Sequence, residues 1–125
     1  MKTVINTTKA PAPIGPYNQA IVAGNTLYIS GQIPMNPETK ELIMDSRDNE
    51  THMVMKNLGA ILKEAGYDFS NIVKCSIFLA DMNDFPIVNE VYGSYFTDNY
   101  PARETVQVGK LPLGVNVEIS AIAVK

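Results

Sequence analysis

The side chains best suited to chemistry lie in the last quarter of the sequence. Arg103 and Thr105 occupy alternate positions of the stretch 103–109, and Glu118 occupies one in the stretch 115–124. An arginine and a glutamate on one sheet are more often a structural ion pair than a site. The alternative is a binding site, since the guanidinium fork of an arginine matches the two oxygens of a substrate carboxylate. Both interpretations are open on these residues alone.

The pattern of these two stretches favours a shared polar face. Both alternate apolar and polar residues with the period of a β-strand, and the segment 110–114 between them contains a proline and a glycine that suit a turn. We therefore expect a hairpin. If the apolar faces of its strands coincide, Arg103, Thr105 and Glu118 lie on the same polar face, because a slip of one residue would bury the charges.

Strands and helices alternate through the rest of the sequence. The segment 10–16 contains three prolines and a glycine, which predicts a rigid loop. Apolar residues at helical spacing, followed by Gly66, predict a helix over 46–65. The other predicted elements are strands at 18–23, 26–30, 72–79, 103–109 and 115–124, and a second helix that begins at Asp81 or Asn83 and ends near Asn99-Tyr100-Pro101.

This order of elements predicts a two-layer α+β sandwich in a single domain of residues 1–125, with both helices on one face of the sheet. The 125 residues are 46% hydrophobic and 18% charged, which is enough apolar material for one sizeable core. The other face of the sheet lacks cover in so small a domain, and a partner subunit often buries such a face. We therefore expect a homo-oligomer.

Composition excludes several classes of protein. Ten Lys and Arg against thirteen Asp and Glu give a net charge of −3, which makes nucleic acid an improbable partner. No apolar run reaches the roughly 18 residues of a membrane helix. The polar start of the chain does not suit a secretory signal, so we expect a cytoplasmic protein. The only cysteine, Cys75, and the only histidine, His52, provide no metal site. We interpret Cys75 and Tyr92 as core residues and His52 as a solvated one.

Several short motifs resemble those of one known family. They are Ala12-Pro13-Ile14-Gly15-Pro16-Tyr17, Ser30-Gly31-Gln32-Ile33-Pro34, Asn83-Asp84-Phe85 with Val88-Asn89, Pro101-Ala102-Arg103, and Val117 to Val124. Over essentially its whole length the sequence is similar to the Rid family, the reactive intermediate deaminases that are also called YjgF/RidA proteins. The resemblance implies a chorismate-mutase-like fold with a mixed sheet and a homotrimer with three clefts between subunits. It also implies hydrolysis of 2-imino acids to 2-keto acids and ammonia without a cofactor or metal.

The resemblance also implies roles for individual residues. Arg103 matches the family arginine that clamps the substrate carboxylate, and Glu118 matches the glutamate that positions the attacking water. These two are the expected catalytic residues. Tyr17 matches an aromatic residue at the cleft mouth, contributed by a different subunit from Arg103. Thr105 stands where many relatives carry cysteine, and its backbone N–H is still able to bind the carboxylate. Further cleft-lining, substrate-binding positions are Ser30, Gly31, Phe85 and Asn89.

One residue departs from the family pattern. The position after the arginine is usually small, and here it is Glu104. Strand alternation points its side chain away from the cleft, where it must find solvent or a cation. We expect little effect on the carboxylate clamp.

Two further functions compete with an imine deaminase. The first is a non-catalytic binding or regulatory trimer, in which Arg103 holds a 2-keto acid or an amino acid and nothing is hydrolysed. Retention of Glu118 favours the enzyme. The second is a ribonuclease or translation inhibitor, which conflicts with the acidic composition of the chain.

Overall fold

Strands and helices are arranged in two layers, with a six-stranded sheet covered by helices on one face. The computed structural model describes all residues from 1 to 125. The strands are β1 (Lys2–Ile5), β2 (Ala20–Ala23), β3 (Thr26–Gln32), β4 (Ile72–Leu79), β5 (Ala102–Gln107) and β6 (Val117–Val124). The helices are α1 (Arg47–Ala65) and α2 (Phe85–Gly93). Neither helix combines the length and apolar composition needed to cross a membrane.

The sheet has the strand order β1-β2-β3-β6-β4-β5. Only β4 and β5 run parallel, and all other neighbours are antiparallel. Parallel neighbours need a long crossover connection, and α2 lies in the segment that links β4 to β5. The sheet is therefore mixed, as expected for the α+β sandwich.

Helix α1 begins and ends where its sequence signals place it. The side chain of Ser46 accepts a hydrogen bond from the backbone N–H of Asn49 at the N-terminus, and Gly66 adopts a left-handed φ of 80° at the C-terminus. Fully buried residues such as Val54, Leu58 and Ile61 face the sheet. The predicted helix over 46–65 is confirmed.

The two faces of the sheet differ sharply in burial. On the helix face, side chains such as Leu27, Ile77 and Ile119 belong to one core cluster of 20 buried residues. On the opposite face, which we call the open face, Tyr28 is 49% exposed and Val106 is 42% exposed. An apolar surface of this kind on a small domain matches the expectation that a partner covers it.

The predicted C-terminal hairpin is wrong. Strands β5 and β6 are not neighbours, because β4 lies between them and pairs with both. The crossover through α2 places β5 at the outer edge of β4, and β6 takes the inner edge between β3 and β4. The strand pattern specified which residues share a face within each strand, but it did not specify the partner strand.

Two element boundaries also differ from the prediction. The short edge strand β1 is missing from the prediction, because its four residues are largely exposed and show no clear apolar alternation. Helix α2 ends at Gly93 rather than near Asn99. The Ser94 hydroxyl donates a hydrogen bond to the carbonyl of Val91 at 2.6 Å, a local bond that competes with continued helix formation.

A buried glutamate fixes the start of the central strand β6. Glu50 on α1 is 0% exposed. Its carboxylate accepts hydrogen bonds from the backbone N–H of Asn116 at 2.7 Å and from the Asn116 side-chain amide at 3.0 Å. Arg47 approaches the same carboxylate at 3.1 Å. The carbonyl of Asn116 in turn accepts a hydrogen bond from Ala80 N–H, so this network joins α1, the end of β4 and the start of β6.

Removal of the Glu50 carboxylate should destabilise the fold strongly. In Glu50→Ala the buried donors of Asn116 lose their acceptor, and loss of one partner from a buried ionic network costs about 3 kcal/mol or more. Glu50→Gln keeps an acceptor oxygen and should lose less stability. Urea unfolding of both variants at one protein concentration measures the difference. Equal stability of Glu50→Ala and the native protein would contradict this assignment.

Candidate functional site

The sequence-predicted residues form two separate groups in the chain, and the first surrounds Arg103. Asn89 on α2 accepts a hydrogen bond from Nη1 of Arg103 at 2.7 Å. The guanidinium carbon lies 5.5 Å from the ring centre of Phe85 and 5.1 Å from that of Tyr92. Phe85, Asn89 and Tyr92 are spaced four and three residues apart, so they share one face of α2. The helix thus presents a hydrogen-bond acceptor and two rings to one arginine.

Arg103 keeps unused hydrogen-bonding capacity. The only hydrogen bond that its guanidinium makes within the chain is the one to Asn89, and the guanidinium forms no ion pair. A cavity of about 540 Å³ adjoins it, with further walls from residues such as Tyr100, Pro101 and Gly93. A half-buried cation with free donors at a cavity is a binding site for an anion, and the planar fork suits a carboxylate.

Thr105 lies two residues further along β5, on the same side of the strand as Arg103. It pairs in register with the core residue Ile77 of β4. Its hydroxyl oxygen is buried and has no hydrogen-bond partner. Because β5 is an edge strand, its outer backbone edge carries no further strand of this chain. A ligand at Arg103 therefore has hydrogen-bonding groups beside it on β5.

The second group surrounds Glu118 on β6. Strand β3 contains a register irregularity between Ile29 and Gln32, where two residues, Ser30 and Gly31, lie opposite one residue of β6. The bulge brings Gly31 against Glu118, so that a Cβ at Gly31 would lie 2.9 Å from Cδ of Glu118. Only glycine leaves room for the carboxylate in this position. Burial raises the pKa of the Glu118 carboxyl, which favours its protonated form more than in water.

The proline-rich loop carries Tyr17 to this second group. Gln19, 2% exposed, holds the loop by donating to the carbonyls of Ala10 and Pro11 at 3.2 and 2.9 Å. Tyr17 itself is 51% exposed. A small cavity of about 40 Å³ is lined by both Tyr17 and Gly31. Ser30 lies in the same bulge, and its hydroxyl donates to the carbonyl of Asn18 at 2.7 Å.

The expectation that Arg103, Thr105 and Glu118 share one face is wrong. Arg103 is in register with Cys75, which is buried on the helix face, whereas Glu118 is in register with Phe78 on the open face. Paired residues project from the same side of a sheet. The arginine group and the glutamate group therefore lie on opposite faces, and a single copy of the chain does not unite them.

Glu104 points to the open face, away from Arg103, as strand alternation predicts. Its carboxylate pairs with Lys74 Nζ at 3.0 Å and accepts a hydrogen bond from the Ser76 hydroxyl. The hydrogen bond from Ser76, followed by the contribution of Lys74, lowers the pKa of the Glu104 carboxyl. The sequence analysis predicts that Glu104 finds solvent or a cation, and in the structure this cation is Lys74.

The residues to which the sequence analysis gives no role in catalysis make contacts within the fold. Cys75 is fully buried, and burial raises the pKa of its thiol to about 11, so it stays a neutral core group. His52 is solvated as predicted, since its side chain is 42% exposed, and its Nδ1 also lies 2.8 Å from the Tyr95 hydroxyl. No group of three or more His, Cys, Asp or Glu side chains is placed to hold a metal ion.

Sequence reasoning missed three features of these sites. Tyr92 was interpreted only as a core residue, but its ring also underlies Arg103. The bulge at Ser30-Gly31 had a signal, because a glycine inside a strand pattern often marks a bulge. Glu50 had none, because a buried glutamate in the first turn of a helix has the same sequence appearance as an exposed one.

A larger cavity than the one beside Arg103 lies elsewhere in the chain. It measures about 860 Å³, borders the proline-rich loop, and contains none of the sequence-predicted site residues. Lys40 is its only charged lining residue. Its walls offer no acid, base or arginine fork, so the chemistry is placed at the Arg103 and Glu118 groups.

Comparisons with known proteins identify the family. The profile of the family described as Endoribonuclease L-PSP matches residues 7–125. The 2-iminobutanoate/2-iminopropanoate deaminase of Mus musculus is 52% identical over 125 residues, which cover 100% of this chain and 93% of the mouse protein. The Rid family protein YyfA of Yersinia pestis is 45% identical and superposes with a TM-score of 0.97. The match covers 100% of this chain and 100% of YyfA. E. coli TdcF with bound serine is 40% identical, with a TM-score of 0.94 and 98% coverage of each chain. The chain belongs to the Endoribonuclease L-PSP family, the Rid or YjgF group whose motifs its sequence resembles.

Proposed function

We propose that this chain is a cofactor-independent deaminase that hydrolyses 2-imino acids to 2-keto acids and ammonia. The proposal is carried by the position of Arg103 at the wall of a cavity. Its guanidinium has free hydrogen-bond donors and forms no ion pair in its own chain. The mouse relative bears the name of this activity at 52% identity, and the E. coli relative binds serine, a small acid with an α-carboxylate.

The groups present suit each step of the reaction. A 2-imino acid carries a carboxylate beside an electrophilic C=N carbon, and the Arg103 fork orients it through the two carboxylate oxygens. Water adds to the carbon of the protonated imine, and the tetrahedral adduct expels ammonia while its hydroxyl becomes the keto oxygen. Glu118 accepts a proton from the attacking water and returns it to the leaving nitrogen, and its carboxylate then accepts the proton of the adduct's hydroxyl as ammonia leaves. Its raised pKa suits a group that must both take and give a proton.

We further propose a homotrimer with the reaction sites in clefts between subunits. The argument is geometric, since the arginine group and the glutamate group lie on opposite faces of the sheet. A second copy is able to place its Glu118, Gly31, Ser30 and Tyr17 against Arg103, Thr105, Phe85 and Asn89 of the first. The exposed apolar residues of the open face supply a surface for the contact. The unit is one domain spanning residues 1–125, and its proposed location is the cytoplasm.

An RNA-cleaving function has less support, although the family description contains the word endoribonuclease. The net charge of −3 opposes binding to a polyanion. Arg103 is stacked among aromatic rings rather than placed in a basic stripe. Binding to RNA that survives a salt titration would overturn this ranking.

Substitution of the two proposed catalytic residues should abolish most activity. The assay follows release of keto acid from 2-iminopropanoate that an amino-acid oxidase generates in situ. Loss of positioned proton transfer in Glu118→Gln should reduce the rate by about 10²- to 10⁴-fold. Arg103→Ala should raise KM steeply, because the carboxylate loses its fork. The exposed α1 variants Glu64→Gln and Lys63→Ala serve as matched controls and should keep native activity. An inactive native protein that binds 2-ketobutyrate would instead support the non-catalytic binding function.

The raised pKa of Glu118 has a consequence for stability. The folded protein binds this proton more tightly than the unfolded chain, so stability falls as the pH rises from the ordinary carboxyl pKa through the raised folded-state pKa. Glu118→Gln should therefore unfold at a higher urea concentration than the native protein at about pH 7. The difference should vanish by about pH 3, where Glu118 is neutral in both the folded and the unfolded chain. A stability gain that is independent of pH would refute this explanation.

A subunit-mixing experiment tests the shared site. Arg103→Ala and Glu118→Gln chains are unfolded together, refolded together and assayed. If each cleft takes Arg103 from one chain and Glu118 from its neighbour, random mixing restores about a quarter of the clefts. Each variant refolded alone is the control and should stay inactive. No recovery in trimeric mixtures would show that both residues of a site come from one chain.

A further inference from the structure

We propose that Tyr92 is a positioning residue that orients the Arg103 guanidinium for its ligand. The inference rests on the proposed function, in which Arg103 binds a carboxylate. It goes further by assigning to Tyr92, a nearly buried wall residue of the same cavity, a role that acts through Arg103. The supporting observations are the stacking of Arg103, the state of the Tyr92 hydroxyl, and the spacing of residues on α2.

The guanidinium is restrained in two ways. The ring of Tyr92 lies 5.1 Å from the guanidinium carbon, within the range of a cation–π interaction. Phe85 supplies a second ring at 5.5 Å. Asn89 then accepts a hydrogen bond from Nη1 at 2.7 Å, which limits rotation of the group. The remaining nitrogens make no hydrogen bond within the chain, so the restraints leave donors for a carboxylate.

The Tyr92 ring is the fixed part of this arrangement. Tyr92 is 3% exposed and belongs to the core cluster, so its position is set by packing. Phe85 is only half-buried. The hydroxyl of Tyr92 lies beside the Cys75 thiol and forms no hydrogen bond with Arg103, so the ring is the part of Tyr92 that contacts the guanidinium. Without this ring, the Arg103 side chain on the edge strand would sample several rotamers. Ligand binding would then have to restrict it to one, and the lost conformational entropy would weaken affinity.

The spacing on α2 indicates a built site rather than a chance contact. Phe85, Asn89 and Tyr92 fall on one face of the helix, and all three contact the same arginine. In this arrangement the Asn89 side-chain oxygen is directed to Arg103. Asn89 therefore contributes to the site by holding the arginine.

The test compares Tyr92→Leu with a matched control from the same aromatic cluster. Phe96 is 9% exposed, its ring centre lies 5.0 Å from that of Tyr92, and it has no contact with the guanidinium. Phe96→Leu therefore removes similar packing and leaves the cation–π contact in place. Loss of that contact in Tyr92→Leu should weaken binding of 2-ketobutyrate and raise KM by about 2- to 30-fold, with kcat little changed. Phe96→Leu should lower stability without changing KM.

Two further variants separate positioning from packing. Tyr92→Phe keeps the ring and removes only the hydroxyl, which makes no hydrogen bond with Arg103, so it should keep native KM. In an Arg103→Ala background, Tyr92→Leu should cause no additional loss of 2-ketobutyrate binding, because the residue that it positions is absent. If Tyr92→Leu does not fold, Phe85→Leu tests the same contact from the other ring.

The outcomes distinguish the two levels of the proposal. If Arg103→Ala itself leaves 2-ketobutyrate binding unchanged, the carboxylate clamp of the proposed function fails. If Arg103→Ala weakens binding but Tyr92→Leu behaves like Phe96→Leu, the clamp stands and the positioning role of Tyr92 is overturned. Equal losses from Tyr92→Leu with and without Arg103 would also overturn it.

Discussion

The central position of β6 is the constraint on which the rest of the structure depends. This strand pairs with β3 on one side and with β4 on the other, so it joins the N-terminal strands to the edge that carries Arg103. Its residues alternate between fully buried and half-exposed along its length, and that alternation fixes which face every neighbouring residue takes. The Glu50 carboxylate holds the backbone just before the strand begins. A slip of one residue in β6 would turn Glu118 into the core.

The same constraint separates the functional groups. Because β6 and β5 both pair with β4, the register that buries Ile119 also places Glu118 on the open face and Arg103 on the helix face. The chain tolerates two unfavourable features as a result. One is an unpaired cation at the sheet edge, and the other is a carboxyl whose pKa burial raises. Both features would serve the proposed shared site, in which a second copy brings the two groups together.

The sequence predicted local structure better than it predicted partners. Helix α1 was placed correctly because Ser46 and Gly66 are specific end signals. Alternation correctly assigned Glu104 and Arg103 to opposite sides of β5, since that depends only on strand geometry. The strand neighbour of β5 was missed because apolar alternation does not encode which of several similar strands lies beside it. The role of Tyr92 was missed for a related reason, since a core aromatic and an aromatic beneath a cation have the same helical spacing.

Glu104 shows how one departure from the family pattern is accommodated by this geometry. A carboxylate alone on the open face would have to lose its hydration when a second copy covers the sheet, at a cost of several kcal/mol for an unpaired ion. Lys74 and Ser76 on the neighbouring strand already pair with it inside the chain. In the proposed trimer, a copy that covers this face would meet a neutral pair beside the apolar Val106. Glu104 would then affect only the contact between subunits, because Arg103 lies on the opposite face of β5.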